Sequence, residues 1–193
     1  MLVAASRFAA HHPHPHIGAA NVVTSGRLAL VALLAAALGE DASAALAWAA
    51  TALTLLTSAL DGLDGWLARR SSLASAFGAR FDMETDALLI LVLSVLVWRW
   101  DKAGWWVLLS GAMRYAFVAA GFVLPWMNGR LAPTLRAKTV AVIQMVALIV
   151  AIGPVIPVPL STFAAAAGLL LLMWSFAIDV GRLWSARRDL TAS

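Results

Sequence analysis

The chain has 193 residues, 62% of them hydrophobic and only 12% charged, which is too apolar for a soluble domain of this size. It contains no cysteine, which excludes disulfides and thiolate metal sites. Its net charge of +4 does not point to nucleic acid, because the basic residues lie between apolar runs, where they set membrane orientation and meet anionic headgroups.

At about 20 residues per crossing, there is room for about six spans. The expectation is an all-α membrane protein with six transmembrane helices around a cytosol-facing polar cavity. Residues 1–20 form a juxtamembrane segment whose first ten residues suit a short interfacial helix. His11, His12, His14 and His16 follow. Pro13 and Pro15 prevent a helical ligand face, so this stretch reads as a polar lead-in. The membrane domain covers 21–181, and a basic cytosolic tail covers 182–193.

The first span, about 21–38, opens on Asn21-x-x-Thr24-x-x-Arg27. Asn21 or Thr24 can cap a helix here. The second span, about 43–70, carries Asp61 and Asp64 near its end. The third, about 74–97, carries Asp82 and Asp86 near its start. Trp98, Trp100, Trp105 and Trp106 read as an interfacial aromatic belt. The fourth span, about 103–124, holds Arg114 in its middle, where an arginine belongs in a cavity rather than in lipid. Arg130, Arg136 and Lys138 surround the start of the fifth span, about 133–153, and the sixth covers about 161–180. Nearly all the basic residues fall on one side, leaving Arg99 and Lys102 on the other. The positive-inside rule then turns both termini and all four aspartates toward the cytosol.

Those aspartates are the chemical centre of the sequence. A charge at mid-membrane costs roughly 2.5–3.5 kcal/mol on insertion scales, so four unpaired carboxylates would threaten the fold. Asp61 and Asp64 share a helix face with Ala68, and Asp82 and Asp86 share one with Gly78. Two antiparallel helices joined by a turn at 68–76 would point the carboxylates toward each other. Clustered oxygen ligands suit hard divalent cations, Mg²⁺ or Mn²⁺, and two such ions would balance four negative charges. Glu84 lies two residues from each of Asp82 and Asp86, so it faces away and is not expected to be a ligand. Asp179 is expected to pair with a nearby arginine.

The run Asp61-x-x-Asp64-Gly65-x-x-Ala68-Arg69, then eight residues, then Gly78-x-x-x-Asp82-x-x-x-Asp86, resembles the signature of the CDP-alcohol phosphotransferases at all eight positions. The resemblance implies transfer of a substituted phosphoryl group from a CDP-linked donor to an alcohol, with loss of CMP. It implies that Asp61, Asp64 and Asp82 hold the metal ions and that Asp86 is a further ligand or the general base. It also implies a nucleotide site near Asn21, Thr24, Asp61, Gly65, Ala68, Arg69 and Gly78. Asn21 and Thr24 are read equally as caps. For Gly65 and Ala68, close nucleotide approach is set against tight helix packing, and for Arg69, phosphate pairing against snorkelling. Gly78 is read mainly as room for the second and third helices to approach.

The large apolar surface favours a lipid donor, CDP-diacylglycerol, in a bacterial inner membrane. Arg114, Lys138, Arg130 and Arg136 are candidates for holding an anionic acceptor; flanking charge is the equal reading for all but Arg114. Glycerol 3-phosphate is the leading acceptor, as in phosphatidylglycerophosphate synthases, with inositol phosphate, serine or another alcohol as alternatives. Family members commonly form homodimers. Two readings from other classes are a small ion or proton transporter and an inactive assembly partner. Confinement of the polar residues to one half of the membrane speaks against the first, and the intact signature against the second.

Overall fold

The structure is a computed structural model that describes residues 19–70, 76–129 and 134–192. Side chains are described for all of these except 19–21, 63–70, 76, 77, 79 and 189–192. The lead-in with its four histidines, and the suggested interfacial helix, lie outside the described residues.

Among the described residues the protein is entirely helical. The long helices are α1 (Ala19–Ala36), α2 (Ala44–Arg70), α3 (Ala76–Arg99), α4 (Leu108–Val123), α5 (Leu135–Ile152) and α6 (Val158–Ala192), with short 3₁₀ turns between some of them. Five of the six are long and apolar enough to cross a membrane: α1, α2, α4, α5 and α6. Helix α3 is the exception in composition, because Arg80, Asp82, Glu84 and Asp86 crowd its first half.

That composition matches where α3 lies. It packs against α1, α4 and α5, and its second half is the most enclosed part of the protein. Leu89, Leu93, Leu96 and Val97 are fully buried. They meet Val31 and Leu34 of α1, Ala47 and Ala50 of α2, and Leu148, Ala151 and Ile152 of α5 in one apolar core. This core fills the end of the bundle remote from Asp82 and Asp86. Hydroxyls of α2 are satisfied locally: Thr51, Thr54, Thr57 and Ser58 each donate to the carbonyl four residues back.

Helix α4 approaches α3 closely at Gly111. A Cβ there would lie 2.5 Å from the Cα of Leu91 and 2.8 Å from Ser94 Oγ. Backbone cannot yield as a side chain can, so Gly111→Ala is expected to part the two helices at a cost of about 1–3 kcal/mol. The check is a lower thermal midpoint for the purified protein in detergent.

The turn after α3 departs from the expected aromatic belt. Trp98 and Trp105 are exposed, but Trp100 is buried and Trp106 packs against the core. Trp100 stands on the helical face of Leu89, Leu93 and Leu96, which carries its ring into the core, and the helix ends just beyond it. Asp101 adopts φ 52°, and the Lys102 and Asp101 amides donate back to the carbonyls of Val97 and Trp98, a Schellman closure with aspartate at the left-handed position. Lys102 then ties this turn to the one between α5 and α6. Its Nζ donates to the carbonyls of Gly153 (3.1 Å) and Ile156 (2.9 Å), while its own carbonyl accepts from Ser161 and Thr162 hydroxyls.

At the opposite end, α6 continues as helix through the segment expected to be a separate tail. Gly181 does not interrupt it, and the basic residues Arg182, Arg187 and Arg188 ride on its last turns. Arg187 and Arg188 stack over Trp184.

Candidate active site

Helix α1 presents a buried stripe to its neighbours: Thr24, Arg27, Val31 and Leu34. Three of these are ordinary packing residues. The fourth is a guanidinium, and Arg27 is only 1% exposed. A charge so enclosed requires partners. They come from the two neighbouring helices. Arg27 Nη1 lies 2.8 Å from Asp61 Oδ1 on α2 and also pairs with Asp82 on α3, while Nη2 pairs with Asp86 one turn further along α3.

The three carboxylates each place an oxygen within 4.8 Å of the others. Their side chains remain 37–44% exposed, so they face an opening while the guanidinium closes the base beneath them. Three carboxylates meet one guanidinium here, and oxygen donors in such mutual proximity fit a hard divalent cation.

The opening is a cavity of about 350 Å³ between α1, α2, α3 and α5. Arg27, Asp61, Asp86, Ser58 and Lys138 form its polar end. Leu55, Val142, Met145, Val146 and Ile149 continue it as an apolar groove along α2 and α5. A second cavity of about 210 Å³ adjoins the first, between α3, α4, α5 and α6. It is lined by Met83, Asp86, Ser110, Arg114, Leu172 and Phe176, among others. Asp86, Ile90 and Ala141 border both cavities.

The structure brings some of the candidate residues from the sequence together and separates others. Asp61, Asp82 and Asp86 come together, and Lys138 lines their cavity. Thr24 is buried on α1 one turn before Arg27, and Gly78 is half-buried on α3 one turn before Asp82. Arg114 lines the second cavity and pairs with Glu84, which stands apart from the carboxylate trio. Arg136 is engaged elsewhere: it pairs with Asp179, donates to Ser175 and stacks over Trp174, joining α5 to α6. The side chains of Asn21, Asp64, Gly65, Ala68 and Arg69, and the whole of Arg130, lie outside the described residues.

Arg27 was not among the candidate site residues. Its signal was present in the sequence: it falls three residues after Thr24, on the same face as Val31 and Leu34, so a charge occupies an otherwise buried stripe.

Over 80 residues the chain is 39% identical to the Arabidopsis thaliana protein named CDP-diacylglycerol–glycerol-3-phosphate 3-phosphatidyltransferase 1, chloroplastic/mitochondrial. That match covers 40% of this chain and 26% of the relative, so the chain spans about a quarter of that protein's length. No solved structure matches the chain. The family model described as CDP-alcohol phosphatidyltransferase matches residues 18–181, a span that holds α1 to α5, most of α6 and every carboxylate of the centre. The chain therefore belongs to the CDP-alcohol phosphatidyltransferase family.

Proposed function

We propose that this protein is an integral membrane phosphatidyltransferase that moves a phosphatidyl group from CDP-diacylglycerol to a hydroxyl of a small polar alcohol, best glycerol 3-phosphate, and releases CMP. The observation that carries the reading is the convergence of Asp61, Asp82 and Asp86 at the polar end of a groove whose remainder is apolar. A diphosphate joined to two acyl chains has the same division. Its charged portion suits the carboxylate centre with its cations and Lys138; its chains suit the groove of Leu55, Val142, Val146 and Ile149. The relative's printed name supports glycerol 3-phosphate as acceptor. Inositol phosphate, serine or another alcohol remain the alternative acceptors.

Asp61, Asp82 and Asp86, together with Asp64 one turn along α2 from Asp61, would hold one or two Mg²⁺ or Mn²⁺ ions. Bound there, such ions would draw charge from the diphosphate and ease departure of the CMP phosphate. Two dications with Arg27 would exceed the four carboxylates by one positive charge, which complements an anionic donor. The acceptor oxygen attacks the phosphorus bearing the diacylglycerol, a new P–O bond forms, and the bond to CMP breaks. The hydroxyl proton must leave during attack. Asp86 is the proposed base, because it borders both cavities and so can face donor and acceptor at once. Arg114, in the second cavity, is placed to meet an acceptor phosphate.

In this reading all six helices cross a bacterial inner membrane, with α3 screened from lipid by its neighbours. The centre faces the cytosol, and the protein works as a homodimer. The test is CMP release by the purified protein from CDP-diacylglycerol with glycerol 3-phosphate, serine or inositol phosphate. Release should require an acceptor, vanish in EDTA and return with Mg²⁺ or Mn²⁺. Full activity without a dication would overturn the metal assignment, and product with serine alone would overturn the acceptor.

A further inference from the structure

The second cavity holds polar groups whose hydrogen-bonding capacity is unspent. Ser110 is 4% exposed, and its Oγ has no partner; the buried Nε of Arg114 also has none. Both residues line the same space as Asp86. A hydroxyl and a guanidinium edge left unpaired in an apolar surround are donors waiting for an acceptor. Elsewhere on the same guanidinium, Nη2 bonds Glu84 Oε1. Glu84 sits between Asp82 and Asp86 in sequence but around the helix from them, and its side chain is 53% exposed. An ion pair this open holds little net free energy, and its carboxylate can swing to water when released.

We infer that Glu84 is a specificity-determining residue that occupies Arg114 as an internal anion until an anionic acceptor displaces it. The inference rests on the reading of Arg114 as the acceptor-facing cation. An incoming phosphate takes over the Nη2 contact and gains the Nε and Ser110 donors, which Glu84 does not satisfy. An acceptor without a negative charge gains nothing from the exchange and leaves Glu84 in place. The pair thereby imposes a threshold: anionic alcohols are accepted at the cost of a raised KM, and neutral alcohols receive no help from Arg114.

The test uses the full chain in mixed micelles with saturating CDP-diacylglycerol, varying glycerol 3-phosphate or, separately, glycerol. Glu84→Gln should lower KM for glycerol 3-phosphate by about three- to tenfold, since a competing charge is removed, while KM for CDP-diacylglycerol and for glycerol stays put. In an Arg114→Gln background the same substitution should give much less. Glu84→Asp, which keeps the charge but shortens its reach, should fall between wild type and Glu84→Gln, and serves if the glutamine variant does not fold. An unmoved or raised KM for glycerol 3-phosphate would overturn the inference, as would an equal gain without Arg114. If the wild type saturates with glycerol 3-phosphate but ignores Glu84, the inference alone fails. If it releases CMP only with neutral alcohols, the reading of Arg114 fails with it.

Discussion

Asp86→Asn is expected to reduce CMP release by about 10²–10⁴-fold, the usual worth of a positioned base. Asparagine keeps the shape of the side chain but neither accepts the acceptor's proton nor brings a full charge to a cation. Asp82→Asn removes charge from the same trio one turn earlier and should also be severely impaired. The two variants differ in how metal repairs them. For a pure ligand, loss of charge raises the Mg²⁺ concentration needed for half-maximal rate, and excess Mg²⁺ recovers part of the activity. For a base, the rate at saturating Mg²⁺ stays low. Asp82→Asn should follow the first pattern and Asp86→Asn the second. Steady-state rates across a Mg²⁺ titration make the comparison. Near wild-type activity in both variants would remove the carboxylate centre from the chemistry.

Arg27→Gln should be the most destabilising single change at the site. Removing one partner from a buried ion pair costs about 3–5 kcal/mol, because the other charge is left without compensation. Here the guanidinium is 1% exposed and the carboxylates about two-fifths exposed, so water shares the burden and the lower end of that range, about 3 kcal/mol, is expected. The loss should depend on cations. Without Arg27 the three carboxylates repel one another more strongly, so Mg²⁺ should raise the thermal midpoint of Arg27→Gln by more than it raises that of the wild type. Thermal melts in detergent with EDTA and with Mg²⁺ give the comparison. Equal shifts in both proteins would mean that Arg27 is not the standing counter-charge of this centre.

What the sequence made legible, and what it hid, follow from the range of each interaction. Asp61 and Asp64 are three apart, and Asp82 and Asp86 four apart; helical periodicity alone puts each pair on one face. The family resemblance then supplied a reason for the faces to meet, and three of the four carboxylates do lie within reach of a common point. Arg27 was hidden because its partners are 55 and 59 residues away, on α3. Locally it looked like the last member of a capping sequence. Asp179 was expected to find an arginine, and only the packing of α5 on α6 selects Arg136 from the several available. Trp100 was misread because tryptophan near a span end suggests an interface, but it continues the helical face of Leu89, Leu93 and Leu96 and is buried with them. The end of the sixth span near 180 was marked by glycine and clustered arginines, but neither prevents the backbone from continuing, so its helix runs on through the tail.

The bonds around Lys102 bear on how a lipid reaches the centre. The ammonium and carbonyl of that one residue lash two loops together at the far rim, where the apolar core is also densest. Helices joined in this manner behave like tweezers, with the fulcrum at the rim and the tips beside the aspartates. Helix α2 lies outside this lash, so the proposed two-tailed donor would enter the groove between α2 and α5 at the aspartate end while α3 to α6 stay joined at the rim.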